Sequence, residues 1–216
     1  QVCTFITQLM IMKKIIVTLS LVVSATAVWA QPARIPVNDL NTGNNKPNTN
    51  TPTNSNSNTP TTSSELKKYS DPQGRYTIGY PGDWTFNDKS ENAIFQLTSP
   101  AENTDDKFRQ NLNLQIEELK ANTTIEQYVQ TNMDAVKELV KGYKEVSSMY
   151  FNRNGVRSYQ IIYKGRYGTM TDDIQIKQLF TISSSGKGYV LTYVSKEGER
   201  DAFETTANKI FNSFKF

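Results

Sequence analysis

The chain contains no histidine. That absence removes Ser–His–Asp and Cys–His catalysis together with every His-ligated metal site. Acid–base chemistry would then fall to a carboxylate or lysine whose pKa burial has moved. Two adjacent acid pairs are available, Asp105-Asp106 after "SPAENT" and Asp172-Asp173 closing "GRYGTMTDD". Paired acids hold Ca²⁺ or serve glycoside hydrolysis, but neither pair lies in a calcium-loop spacing. Both read as solvated loops. Ser184 and Lys187 have the spacing of a Ser–Lys pair, yet they sit in the turn "SSSGKG" and not at a helix start. The Gly186-Lys187-Gly188 fragment lacks the glycine five residues upstream that a phosphate loop requires. The sequence therefore predicts no catalytic residue, no metal and no cofactor. A carboxylate-dependent extracytoplasmic hydrolase is the enzymatic alternative, and it would need two carboxylates converging in a deep pocket.

Two stretches have the composition of contact sites. The first is "YPGDW", in which Tyr80, Pro81 and Trp84 form either a ligand clamp or a structural corner. Pro81 lacks an N–H and fits a strand end. Pro81-Gly82-Asp83 is turn chemistry, with Gly82 available for positive φ. Trp84 would then point inward and plug the core. The second stretch is "KGRYGTMTDD", where Arg166, Tyr167 and Met170 stand where a strand runs out. Arg and Tyr are common interface anchors, so this is the candidate partner-binding loop. The alternative is that Tyr167 merely continues the alternating face of Tyr159, Ile161 and Tyr163.

These residues need elements to hold them. "NLNLQIEE", residues 111–118, alternates without fault and predicts a half-buried strand with Leu112, Leu114 and Ile116 on one face. Further strands are expected at "RYTIGY", "NAIFQLT", "EVSSMYF", "VRSYQIIYKG", "IQIKQLFTIS" and "GYVLTYVS". In "TTIEQYVQTNMDAVKELVKGY", Ile125, Tyr128, Val129, Val136, Leu139, Val140 and Tyr143 fall at helical spacing. Thr123 or Thr124 would cap this helix, and Gly142 lies near its expected end. Phe203, Ala207, Ile210, Phe211 and Phe214 outline a terminal helix. Asn154-Gly155 and "SSSGKG" signal hairpins, so the late strands are antiparallel neighbours. The order is strands, a helix, four strands and a helix. It predicts an α+β domain whose antiparallel sheet is covered by two amphipathic helices.

Composition divides the chain. Residues 1–11 read as a mis-set start. Residues 12–30 have the basic opening Lys13-Lys14, an apolar run and "VWA", the form of a cleaved secretory signal peptide. The run Ile15–Ala30 is shorter than the about 20 residues of a membrane span. Residues 31–65 hold 9 Asn, 7 Thr, 5 Pro and 4 Ser and no aromatic. They predict a disordered linker. Residues 66–216 form the expected domain, with 20 Lys+Arg against 19 Asp+Glu. No basic block is present, which argues against nucleic acid. The one cysteine, Cys3, precedes the signal. No disulfide and no lipid attachment at the cleavage site are expected, and the product should be periplasmic or secreted without stable membrane insertion.

"YSDPQGRYTIGYPGDW" resembles the opening of the PsbP-like superfamily, in which a Gly-aromatic strand runs into "YP-x-x-W". The likeness continues to a terminal helix similar to the family's "F…I…SF", here Phe203, Ile210, Ser213 and Phe214. The resemblance implies an α/β/α sandwich with a central antiparallel sheet over residues 66–216. It also implies a binding or assembly protein acting on another extracytoplasmic protein, without a catalytic set. The superfamily includes photosystem II extrinsic subunits and exported DcrB-like proteins, so a photosystem accessory protein is a further alternative. Some photosynthetic members bind metals partly through histidines, which this chain lacks.

Overall fold

Thr124 starts the first helix with a reciprocal capping box. Its hydroxyl accepts from the Gln127 N–H, and the Gln127 side chain accepts from the Thr124 N–H. The helix, α1, runs Ile125–Leu139 and buries Ile125, Tyr128, Val129, Met133 and Val136. The computed structural model describes residues 65–168, 170–198 and 201–216. The expected start and signal peptide, and all of the expected linker 31–65 except Glu65, lie outside these.

The end of α1 differs from expectation. Val140 and Tyr143 share the helical spacing, yet the helix stops at Leu139 and the chain passes directly into a strand, Val140–Arg153. Gly142 adopts φ +69°, which no helix continues. It sits in a register shift between Lys141 and Lys144. The glycine serves a β-bulge there, not a helix terminus.

Nine strands accompany α1 and a second helix among the described residues. β1 (Leu66–Ser70) and β2 (Thr77–Pro81) make a separate antiparallel pair. β3 (Thr85–Asn87), β4 (Phe95–Thr98), β5 (Asn111–Glu118), β6 (Val140–Arg153), β7 (Val156–Tyr167), β8 (Ile174–Ile182) and β9 (Lys187–Lys196) form one sheet. Its order is β3-β4-β5-β9-β8-β7-β6, and every pairing is antiparallel. Asn154 and Gly155 both take positive φ and close the β6–β7 hairpin, as an Asn-Gly turn should. The second helix, α2, runs Glu204–Ser213.

The sheet separates two apolar cores. On one side Leu112, Leu114, Leu191 and Tyr193 pack with Ala207, Ile210 and Phe211 of α2, and with Tyr76 and Ile78 beside β2. On the other side Ile161, Tyr163, Ile176, Phe180, Val190 and Val194 pack under α1. The domain is thus an α/β/α sandwich. β9 lies at the centre and is buried on both faces from Gly188 to Ser195. Residues 188–195 read "GYVLTYVS", a run in place of an alternation, as doubly covered strands do.

Candidate functional site

Pro81 is the last residue of β2, opposite Leu66, and its carbonyl accepts from the Trp84 N–H at 3.2 Å. Trp84 is 4% exposed and belongs to the core on the α2 side. Tyr80 stacks on Phe86, with ring centroids 5.0 Å apart. Gly82 does not take the positive φ that the turn chemistry allowed. A Cβ there would meet the flexible Lys67 side chain at 3.0 Å, so the turn tolerates rather than demands glycine. The corner is held by the burial of Trp84, the Tyr80–Phe86 stack and the Trp84 N–H to Pro81 bond.

The loop after β7 is more tied down than its composition suggests. Arg166 donates from Nε to Asp173 Oδ1 at 2.9 Å, and both side chains remain about half exposed. The Met170 N–H donates to the Tyr167 carbonyl at 3.0 Å. Tyr167 and Met170 both pack against the core under α1. The Tyr167 hydroxyl is buried without a hydrogen-bond partner, and burial raises its pKa. Arg166 is therefore the outward group of the three.

Pairing of β6 with β7 places Val140 opposite Tyr167 and Lys141 opposite Arg166. The loop is thus joined to a feature that no linear motif marks. Between α1 and the outer strands lies a half-open groove of about 240 Å³. Val129, Met133, Tyr159 and Ile161 give it an apolar floor, and Tyr143 and Tyr150 close its sides. Gln130, Lys137, Glu145 and Ser148 rim it with polar groups. Tyr150 lies against Tyr159 at 4.6 Å, and the Arg157 guanidinium covers the Tyr150 ring at 4.8 Å. Arg157 also pairs with Glu126 at 2.8 Å and holds that carboxyl below its ordinary pKa. Burial, and after it the Glu145 charge, push the Tyr143 phenol up to about 12. It is neutral at physiological pH, and its hydroxyl has no partner.

The groove can hold an apolar or aromatic side chain against its floor and offer hydrogen bonds at its rim. It does not assemble the acid pairs. Asp106 accepts from the Glu102 and Phe108 N–H groups within its own loop, and Asp173 is engaged by Arg166. Among the described residues no three His, Cys, Asp or Glu side chains converge as a metal-ligand set. Nor is any helix among them long and apolar enough to cross a membrane. No linear pattern marks the groove, because the spacing puts Tyr143 on a helix and Tyr150 on a strand that share no sequence motif. The aromatic run "MYF" within β6 was the one available signal.

An antiparallel sheet with a helix on each face defines an α/β/α sandwich. The chain is matched over residues 33–216 by the model for the PsbP-like protein family, and it belongs to that family. The fold is shared with solved structures of low identity. Cyanobacterial PsbP from Synechocystis is 16% identical, with a TM-score of 0.50, covering 70% of this chain and 92% of that one. LpqN of Mycobacterium tuberculosis, involved in cell envelope biogenesis, is 18% identical, with a TM-score of 0.51 and coverage of 69% and 90%. The Ran-binding protein Mog1p of Saccharomyces cerevisiae is 8% identical, with a TM-score of 0.50 and coverage of 69% and 94%. No curated protein sequence matches the chain.

Proposed function

We propose that the protein is an exported, non-catalytic binding or assembly module of PsbP-like type, whose contact surface is the groove between α1 and β6 together with the adjoining loop of Arg166, Tyr167 and Met170. The observation that carries this reading is the groove itself, a mainly polar opening at the sheet edge above the buried side chains of Val129, Met133, Tyr159 and Ile161. Such a surface suits a side chain offered by another extracytoplasmic protein. Membership of a family related to PsbP supports it, as do the described roles of Mog1p as a Ran-binding protein and of LpqN in envelope biogenesis. Export rests on the Lys13-Lys14 opening and the "VWA" site, with a mature protein starting at Gln31. N-terminal sequencing of the protein from the extracytoplasmic fraction tests that start, and an uncleaved segment in membranes would refute it.

Cross-linking in the native envelope tests the surface. Two double variants are used, each first checked for an unchanged melting temperature: Gln130→Ala with Glu145→Ala on the groove rim, and Arg166→Ala with Met170→Ala on the loop. Recovery of cross-linked partner is expected to fall at least fivefold in the groove variant. Unchanged recovery in both variants would remove this face from consideration.

A further inference from the structure

The two edges of the main sheet are unlike. β3 is 3 residues long and offers little to pair with. β6 is 14 residues long and lies at the opposite edge. Long exposed edges are normally blunted by bulges, lysines or proline. On β6 those devices are confined to the first half. Both register shifts fall between Lys141 and Ser147, and Lys141, Lys144 and Glu145 lie there too. From Ser147 to Arg153 the strand stays in unbroken register with β7. Ser147–Asn152, "SSMYFN", has no charge and no proline. Among the described residues the large apolar side chains left exposed are Val146, Met149 and Tyr150, at 51%, 56% and 38%, all on this strand. The charge that closes the segment, Arg153, is turned onto α2, where it donates to the carbonyls of Phe211, Asn212 and Phe214.

We propose that the Ser147–Asn152 edge of β6 pairs antiparallel with the same edge of a second copy of this chain, about a two-fold axis at Tyr150. The proposal rests on the reading of β6 as part of a contact surface and assigns that edge its occupant. An antiparallel pair sets residues that share a sheet face directly opposite one another. Tyr150 lies on the α1 side, in contact with Tyr159, and Phe151 packs toward the α2 side. Alternation then places Ser148 and Asn152 with Tyr150, and Met149 with Phe151. A two-fold at Tyr150 sets Tyr150 against Tyr150, Met149 against Phe151 and Ser148 against Asn152. Each pair shares a face, and no pair carries a charge. Lys144 and Glu145 fall outside the paired segment, beyond Arg153 of the second copy, and the Arg157 guanidinium that covers each Tyr150 ring is already paired with Glu126 of its own copy. That electrostatic neutrality toward itself is what a two-fold edge requires, since any charge at the centre would face its own copy. The product is one continuous sheet with both grooves opening beside the paired Tyr150 rings.

The test uses the protein as recovered from the expressing cell, in a Cys3→Ser background. Sedimentation over a range of concentrations is expected to show a monomer–dimer equilibrium, weakened at least tenfold by Met149→Lys. Tyr150→Cys should form a symmetric disulfide dimer on mild oxidation, and Ser147→Cys, which the axis sets opposite Arg153, should not. A chain that stays monomeric at all concentrations and fails to cross-link through Tyr150→Cys overturns the proposal. If that monomer still loses envelope cross-links in the groove variant, the second copy is wrong while the binding-module reading stands. If the cross-links are unaffected as well, both fail.

Discussion

The indole of Trp84 meets the ring of Phe203 edge-on, with centroids 5.8 Å apart and planes at 88°. The corner after β2 is thereby fastened to the residue that opens α2. Both rings are 4% exposed. Trp84→Ala is expected to destabilise the fold by about 3–5 kcal/mol through the cavity it leaves. The indole Nε1 has no hydrogen-bond partner. Trp84→Phe should therefore cost distinctly less, because it removes an unpaired donor along with part of the ring. Denaturant midpoints of the two variants test the ranking, and blue-shifted Trp84 emission in the folded protein tests the burial.

Arg153 holds the end of α2 from across the sheet. Its guanidinium donates at 2.6 Å to Phe211, 3.0 Å to Asn212 and 2.9 Å to Phe214, all through backbone carbonyls. The last carbonyls of a helix lack partners of their own. Arg153→Met preserves the stem but removes the donor shared by these carbonyls, leaving Phe211 only the Phe214 N–H at 3.3 Å, at an expected cost of about 1–3 kcal/mol. Amide hydrogen exchange should show the loss first in the last turn of α2. Uniform exchange changes across the domain would count against a local clamp.

Gly165 faces the junction where α1 becomes β6. A Cβ there would come within 2.5 Å of Val140 Cγ1 and 2.9 Å of the Lys141 carbonyl oxygen. The second contact is backbone and cannot move aside. Gly165→Ala is expected to lower stability by about 1–3 kcal/mol, through this overpacking added to a φ of +152° that disfavours any side chain. Gly168→Ala, at a site with open space around it, should cost less despite its positive φ. Thermal midpoints of the pair decide, and equal losses would show that backbone conformation, not crowding, sets the cost.

Asp71 gives the domain a defined acid dependence. The Arg75 side chain donates to it at 2.8 and 2.7 Å, and the Gln73 and Arg75 N–H groups also donate to it. The Arg75 hydrogen bonds hold its pKa below the ordinary value, outweighing burial. A depressed folded pKa means that the contribution is complete above the unfolded value of about 4 and disappears as pH falls through the folded one. Asp71→Asn should therefore destabilise near neutral pH and converge on the wild type in acid. Urea midpoints from neutral pH down to strong acid would show this, and a difference that persists in acid would contradict it.

The sequence alone determined whatever depends on local periodicity and turn chemistry. The alternation of "NLNLQIEE" specified β5 and the face that Leu112 and Leu114 bury, because a strand's side chains repeat every two residues. Thr123 or Thr124 marked the start of α1, where the structure uses Thr124; Asn154-Gly155 marked the hairpin; and the apolar spacing of Phe203, Ala207, Ile210, Phe211 and Phe214 marked α2, with Phe203 and Phe214 falling at its caps and not within it. Tertiary structure decided what periodicity leaves ambiguous. Val140 and Tyr143 satisfy the helical spacing as well as any residue of α1. The positive φ of Gly142 and the pairing of Val140 with Tyr167 put them in β6 instead. The short strands β1 and β3 exist because partners hold them, and β3 is paired at every residue with β4. The groove has the same origin. Tyr143, Tyr150 and Tyr159 carry no mark of a common site in the chain, and they meet only when β6 folds back along β7 beneath α1. Local signals act over a turn or a pair of residues, whereas a contact surface is made by segments that only the packed sheet brings together.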